Sequence, residues 1–245
     1  RFELSVGATR VGYDTEVWRL VQDQFGRPIA ESRGDVPSPP AVAFGQTTAS
    51  LVGDNSFTGF TSPIQGGRYR IEAGPTFGEL NFATVLADSR RYFFFGPLTF
   101  AVRAMTYGRY GGDAEDVRLG DLYVGQPAFI RGYDPNSFEI DECTGSVDDE
   151  CPEFNRLVGS RIALANVELR IPLIGTEELG LLKWGFLPVE VAPFFDVGTA
   201  WTSDAEPDLR FDRETSDRVP VMSTGLTSRF NLFGYIVAEI FYVYP

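Results

Sequence analysis

The chain has 245 residues and not one histidine. That absence removes imidazole general bases, Ser-His-Asp and Cys-His nucleophile systems, and zinc sites of the His-Glu-x-x-His kind. No Gly-x-Ser-x-Gly elbow and no phosphate-cradling glycine loop is present either, so no enzymatic activity, metal or cofactor is expected of these residues. Long apolar runs are missing too: nothing approaches the ~20 unbroken apolar residues of a transmembrane helix. A helical membrane protein is thereby excluded, but a β-barrel is not, because its strands carry a weaker signal. Basic excess is also absent. With 34 acidic against 21 basic residues and a net charge of −13, nucleic acid is not an expected partner, nor is adhesion to anionic lipid. Only two cysteines occur, Cys143 and Cys151, close together in one acidic loop. Their spacing is not that of a metal site. Two free thiols are one reading; a local disulfide is the expected one, and it implies an oxidising compartment.

What the chain does have is aromatic and alternating. Aromatics make up 14% and phenylalanine alone contributes 21 residues. The dominant pattern has period two, the mark of strands with one apolar face. Phe2, Leu4, Val6 and Ala8 oppose Glu3, Ser5, Gly7 and Thr9; Ala165, Val167, Leu169, Ile171 and Leu173 oppose Leu164, Asn166, Glu168 and Arg170. The pattern predicts about nine strands, at 1–13, 43–53, 67–75, 79–95, 97–109, 158–173, 187–201, 219–232 and 234–244, several near the ~9–11 residues that span a bilayer. Gly96-Pro97 and Phe233-Gly234 read as tight turns, whereas 14–42, 110–157 and 202–218 read as long polar loops. Short turns on one side and long loops on the other are the asymmetry of outer-membrane barrels. Pro75–Gly78 reads as a short connection on the long-loop side, and 54–66 and 174–186 as longer ones on the short-turn side. Aromatics gather near both sets of strand ends, with Trp18, Tyr107, Tyr110 and Trp201 towards the long loops, as at two membrane interfaces. A soluble β-sandwich also alternates, but the Arg, Glu and Asn on the polar faces suit a wet lumen better.

Two motifs refine this. The loop 110–157 contains Pro127-Ala-Phe-Ile-Arg131-Gly132-Tyr133-Asp134, and the strand near 193–201 reads Pro-Phe194-Phe-Asp196-Val-Gly198-Thr-Ala-Trp. The first resembles the V/I-R-G-F/Y signature, and the second the F-x-D-x-G wall-strand motif, of the BamA-like superfamily of outer-membrane β-barrels (the bacterial surface antigen type). The resemblance covers nearly the whole chain, with 54–66 in the place of the family's inner turn. It also extends to the subgroup in which a periplasmic β-propeller precedes the barrel. It implies an all-β, transmembrane antiparallel barrel as a single domain over 1–245. Both ends fall within strands, so the first strands and the last strand are expected to be missing. The resemblance further implies that loop 110–157 is extracellular and folds back into the lumen, its tip held by an acid on the wall.

Strand parity puts Phe194, Asp196 and Gly198 on one face, and an aspartate is costly on a lipid face, so Asp196 should point inward. Glu168 lies on the polar face of the strand after the loop. Arg131, Gly132, Tyr133, Asp196, Glu168, Phe194 and Gly198 are therefore the expected loop lock: a planar guanidinium engages carboxylates bidentately, a glycine permits the turn, and Gly198 lets a loop approach closely. A partly hydrated lumen would keep the cost of breaking it below the ~3–5 kcal/mol of a buried pair. The acidic run 134–150 does not match a calcium loop and reads as solvated. The resemblance implies assembly or translocation of polypeptides without nucleotide, in the outer membrane of a Gram-negative-type bacterium. Its implied partners are outer-membrane lipids, unfolded outer-membrane or secreted polypeptides, and periplasmic accessory proteins. The alternative is a membrane anchor or passive pore carrying a periplasmic domain, either a propeller or an enzyme.

Overall fold

The computed structural model describes residues 1–22, 27–135, 152–184, 186–208 and 218–244. Nine long strands run in sequence order through one antiparallel sheet: β1 (Phe2–Val11), β2 (Val42–Asp54), β3 (Pro63–Gly78), β4 (Phe82–Phe95), β5 (Leu98–Tyr110), β6 (Arg161–Gly175), β7 (Val189–Trp201), β8 (Val221–Leu232) and β9 (Ile236–Tyr244). Two short strands attach to them, Phe57–Thr58 on β3 and Leu182–Lys183 on β6. Strands adjacent in sequence are adjacent in space, as hairpin connections require.

The two faces of the sheet are inverted relative to a soluble protein. Phe2, Leu4 and Val6 are 65%, 69% and 79% exposed, and Phe100, Leu169, Phe195 and Ile240 are exposed as well. On the opposite face Ser50, Thr99, Glu168, Glu190, Asp196, Thr227 and Arg229 are buried. Water would penalise such an apolar outer surface at roughly 25 cal/mol per Å2, and a sandwich would have packed that face against a second sheet. Hydrocarbon is the surrounding that fits it. No helix among the described residues is long and apolar enough to cross a membrane.

The sheet curls around its polar face. The turn between β2 and β3 touches β7 through Ser62 and Glu190, and β8 through Phe60 and Asn231. Five strand spacings separate β3 from β8, and ~4.8 Å each would put them ~24 Å apart in a flat sheet. Register then sets the inner face: Asn166 lies opposite Asp196, Glu168 opposite Phe194 and Leu164 opposite Gly198 across β6 and β7.

Three expectations about connections are corrected. Within 14–42, read as a long polar loop with no strand assigned to it, Thr15–Gln22 and Pro28–Val36 form a separate hairpin. Its second strand, rich in Glu, Ser, Arg and Asp, hid the alternation carried by the first. Trp18, expected in the aromatic band at the ends of the membrane strands, sits in that hairpin with the Arg33 guanidinium 3.7 Å above its ring. Pro75–Gly78 is not a turn but the end of β3, where Thr76 faces in and Phe77 out. The connection is 79–81. Cys143, Cys151 and most of the acidic run fall outside the described residues.

The inverted faces predict the effect of a charge at mid-strand. Phe195→Arg on β7 should lower the equilibrium unfolding free energy in lipid vesicles by about 2–4 kcal/mol. An unchanged denaturation midpoint and slope would contradict a lipid-facing Phe195.

Candidate functional site

The loop between β5 and β6 begins with a turn pinned to the sheet rim. Asp116 caps a short 3-10 turn, Val117–Leu119, and accepts two hydrogen bonds from the Arg118 guanidinium at 2.8 Å. Those bonds from Arg118 hold the Asp116 carboxyl down at about 2, so the cap stays ionised across the physiological range. Arg109 on β5 donates to the Gly120 carbonyl at 2.7 Å, and Tyr13 donates to the Arg118 carbonyl. Glu115 accepts from the Ser160 and Ser203 hydroxyls, both at 2.6 Å, tying the loop to the far rim of β6 and β7. Leu122–Tyr123 then pairs with Val158–Gly159.

From this rim the chain descends along the inner face. Val124, Ile130 and Leu157 are fully buried against Ile162, Leu164, Ala200 and Val221. This apolar cluster is the root of the tip. The carbonyls of Ala128 and Phe129 accept from Arg103 at 2.7 Å and Asn166 at 2.8 Å, so backbone groups brought out of water keep their partners.

At the tip, Arg131 meets four side chains on β6, β7 and β8. Its Nε and Nη2 each donate to Asp196 at 2.7 Å, a bidentate pair, and its backbone N–H adds a bond at 3.2 Å. Nη1 donates to Glu168 at 2.8 Å and to Thr227 Oγ1 at 3.0 Å. The guanidinium carbon stands 3.5 Å from the Phe194 ring centroid, a cation–π contact. Asp196 is 0% exposed and Arg131 7%. Asn166 supplies a further donor to Asp196 at 2.9 Å. A buried carboxylate costs several kcal/mol of desolvation, which a guanidinium fork plus added donors can offset. This burial is deeper than the hydrated lumen expected from sequence, and it moves the cost of removing one partner into the range of about 3–5 kcal/mol.

The remaining sequence-predicted positions lie around this pair. Gly132 has φ +92°, a conformation side-chain-bearing residues avoid, and it turns the chain away after Arg131. Tyr133 donates to the Met222 carbonyl at 2.6 Å, and Tyr123 donates to the Tyr133 carbonyl. A Cβ on Gly198 would lie 2.5 Å from Ile130 Cδ1 and 2.8 Å from the Ala163 carbonyl. The glycine is therefore the seat of the isoleucine that precedes Arg131.

Sequence reasoning named Arg131, Asp196, Glu168 and Phe194 but missed the residues beyond them. Glu168 also receives Arg170 at 2.9 Å and Arg229 at 3.0 Å, and Arg229 continues to Glu190 at 2.9 Å. Arg229, Glu190 and Thr227 share the inner parity with Asp196 and Glu168. Parity was the available signal, but without the register nothing said which polar residues would meet. A polar cavity of about 300 Å3 adjoins this network, lined in part by Arg103, Asn166, Glu168, Arg170 and Arg229.

A curled antiparallel sheet with a lipid-compatible exterior and a charged loop tip on its inner face defines the wall of a transmembrane β-barrel. The Omp85 superfamily domain matches residues 54–232, and the chain belongs to that superfamily, the family of BamA-like outer-membrane barrels. The superfamily is one of the bacterial outer membrane and covers protein insertion and translocation factors, which act without enzymatic chemistry. A comparison with curated proteins returned no match.

The Gly198 seat gives a direct check on the tip. Ile130→Ala, which empties that seat without touching the strands, should loosen the tip and make 126–133 cleavable by added protease, while the strands stay resistant. Unchanged protection of 126–133 would show that the seating of Ile130 does not hold the tip.

Proposed function

We propose that this barrel inserts or exports polypeptides without nucleotide, and that loop 110–157 is the extracellular loop which, locked in the lumen by Arg131, keeps the wall in its working arrangement. Bidentate pairing of Arg131 with a fully buried Asp196 carries this reading. A barrel that only anchors a neighbouring domain gains nothing from a loop held across its interior, whereas one that must admit a polypeptide and stay closed to solutes does. Arg131 is suited to the role because a guanidinium never loses its charge and its planar fork fixes orientation as well as attraction. Glu168 and Thr227 complete the fork, and the Phe194 ring covers the face left over. The site thus sets the geometry of three neighbouring strands, β6, β7 and β8, from a single side chain.

Partners follow from the same reading. They are outer-membrane lipid around the apolar exterior, unfolded outer-membrane or secreted polypeptides as substrates, and periplasmic accessory proteins at the short-turn side. The barrel supplies positioning and a protected path rather than a reacting group, in keeping with a chain that has no histidine.

The test is reconstitution of the full-length protein in proteoliposomes with an unfolded outer-membrane protein as substrate. Arg131→Ala should slow the appearance of protease-protected substrate by about tenfold or more, equivalent to ~1.4 kcal/mol of lost positioning, in a barrel that still assembles. An assembled Arg131→Ala barrel with undiminished insertion would overturn the lock's part in the activity, and no insertion by the unaltered barrel would turn the reading towards an anchor or a passive pore.

A further inference from the structure

The connection between β2 and β3 is longer than a short-turn-side hairpin needs, and the proposed lock leaves it unexplained. Asp54 accepts from the Ser56 backbone and hydroxyl at 2.9 and 2.6 Å, which starts the turn, and Gly59 N–H donates to the Ser62 carbonyl at 2.8 Å, which closes its tip. The tip is not left at the rim. Thr61 and Ser62 donate to Glu190 Oε2 at 3.0 and 2.7 Å, Asn231 donates to the Phe60 carbonyl, and Arg170 donates to the Pro63 carbonyl at 2.8 Å. The partners lie on β6, β7 and β8, so the turn crosses the mouth beneath β4 and β5 to reach them.

Two of the three anchors of this turn, Glu190 and Arg170, are also elements of the network around Arg131. Glu190 binds Arg229 at 2.9 Å, Arg229 binds Glu168 at 3.0 Å, and Glu168 binds Arg131 at 2.8 Å and Arg170 at 2.9 Å. Glu168, Glu190, Arg131 and Arg229 are all buried. Removing one charge from such a row leaves its neighbour desolvated and short of a partner, so the row rearranges as a unit.

We propose that the β2–β3 turn is a second, internally latched plug that closes the short-turn mouth, and that Glu168 and Arg229 couple its release to release of the Arg131 loop tip. The inference rests on the loop being held in the lumen as proposed above, and adds the opposite mouth to the device. Loosening either segment frees a share of Glu168 or Arg229 and so weakens the other. The coupling is reciprocal, as any thermodynamic linkage must be. A polypeptide that displaces the loop tip from one end would thereby open the other.

Hydrogen exchange of the full-length protein in lipid nanodiscs reads both segments at once, as residues 56–63 and 126–133. Thr61→Val with Ser62→Ala alters only the turn and leaves the barrel wall intact. It should raise exchange of 56–63 by about tenfold and of 126–133 by about fivefold, the low end of ordinary coupling. Glu190→Gln should act in the same direction, and Arg131→Ala should raise exchange of both segments. Free exchange of 56–63 in the unaltered protein would overturn the plug. Release of each segment with the other unmoved would overturn the coupling and leave the insertion reading standing. Coupled exchange with undiminished insertion by Arg131→Ala would overturn only the lock's part in insertion, and coupled exchange with no insertion by the unaltered protein would overturn the insertion reading alone.

Discussion

A carboxylate with no solvent exposure, Asp196, is the constraint around which the inner face is organised. It has to be satisfied by groups that the sheet cannot supply by itself. One donor, Asn166, comes from the neighbouring strand, and the rest come from Arg131 on a loop that enters from the rim. The loop in turn needs an apolar root, Ile130 and its neighbours, and a glycine seat at Gly198. Fold and site are therefore one construction: remove the charge pair and the loop has no reason to cross the interior, remove the loop and the wall holds an unpaired buried charge.

The same logic extends from one mouth to the other. Arg131, Glu168, Arg229 and Glu190 alternate in sign along the inner face and end on the hydroxyls of Thr61 and Ser62. Buried ion pairs seldom add stability over a well-packed apolar core, and their better-attested use is to specify register or a switch. Here the row fixes two segments far apart in sequence to the same three strands.

Much of this was legible in the sequence because a barrel wall obeys strict parity. Asp196 and Glu168 could be placed inward from alternation alone, since a lipid face does not tolerate a carboxylate, and Gly132 and Gly198 could be singled out because only glycine serves a left-handed turn or a close approach. The limits of most of the long strands followed from the same alternation. What parity does not give is register. Arg229, Thr227 and Glu190 carry the right parity, but so do Asn231 and Ser223, and only the pairing of β6, β7 and β8 shows which of them face Arg131 or Glu168. The hairpin at Thr15–Val36 was obscured because its polar strand has no apolar face to alternate, and the end of β3 because Pro75 looks like a turn signal in a strand that continues past it.

The central claim is that Arg131 and Asp196 act as one unit, and a double-mutant cycle measures that most directly. Unfolding free energies of full-length Arg131→Ala, Asp196→Ala and the double variant in lipid would be compared with the unaltered protein. The account predicts that each single change costs about 3–5 kcal/mol and that the double change costs no more than the worse single, a coupling of several kcal/mol. Additive costs within ~0.5 kcal/mol, the behaviour of independent sites, would contradict it.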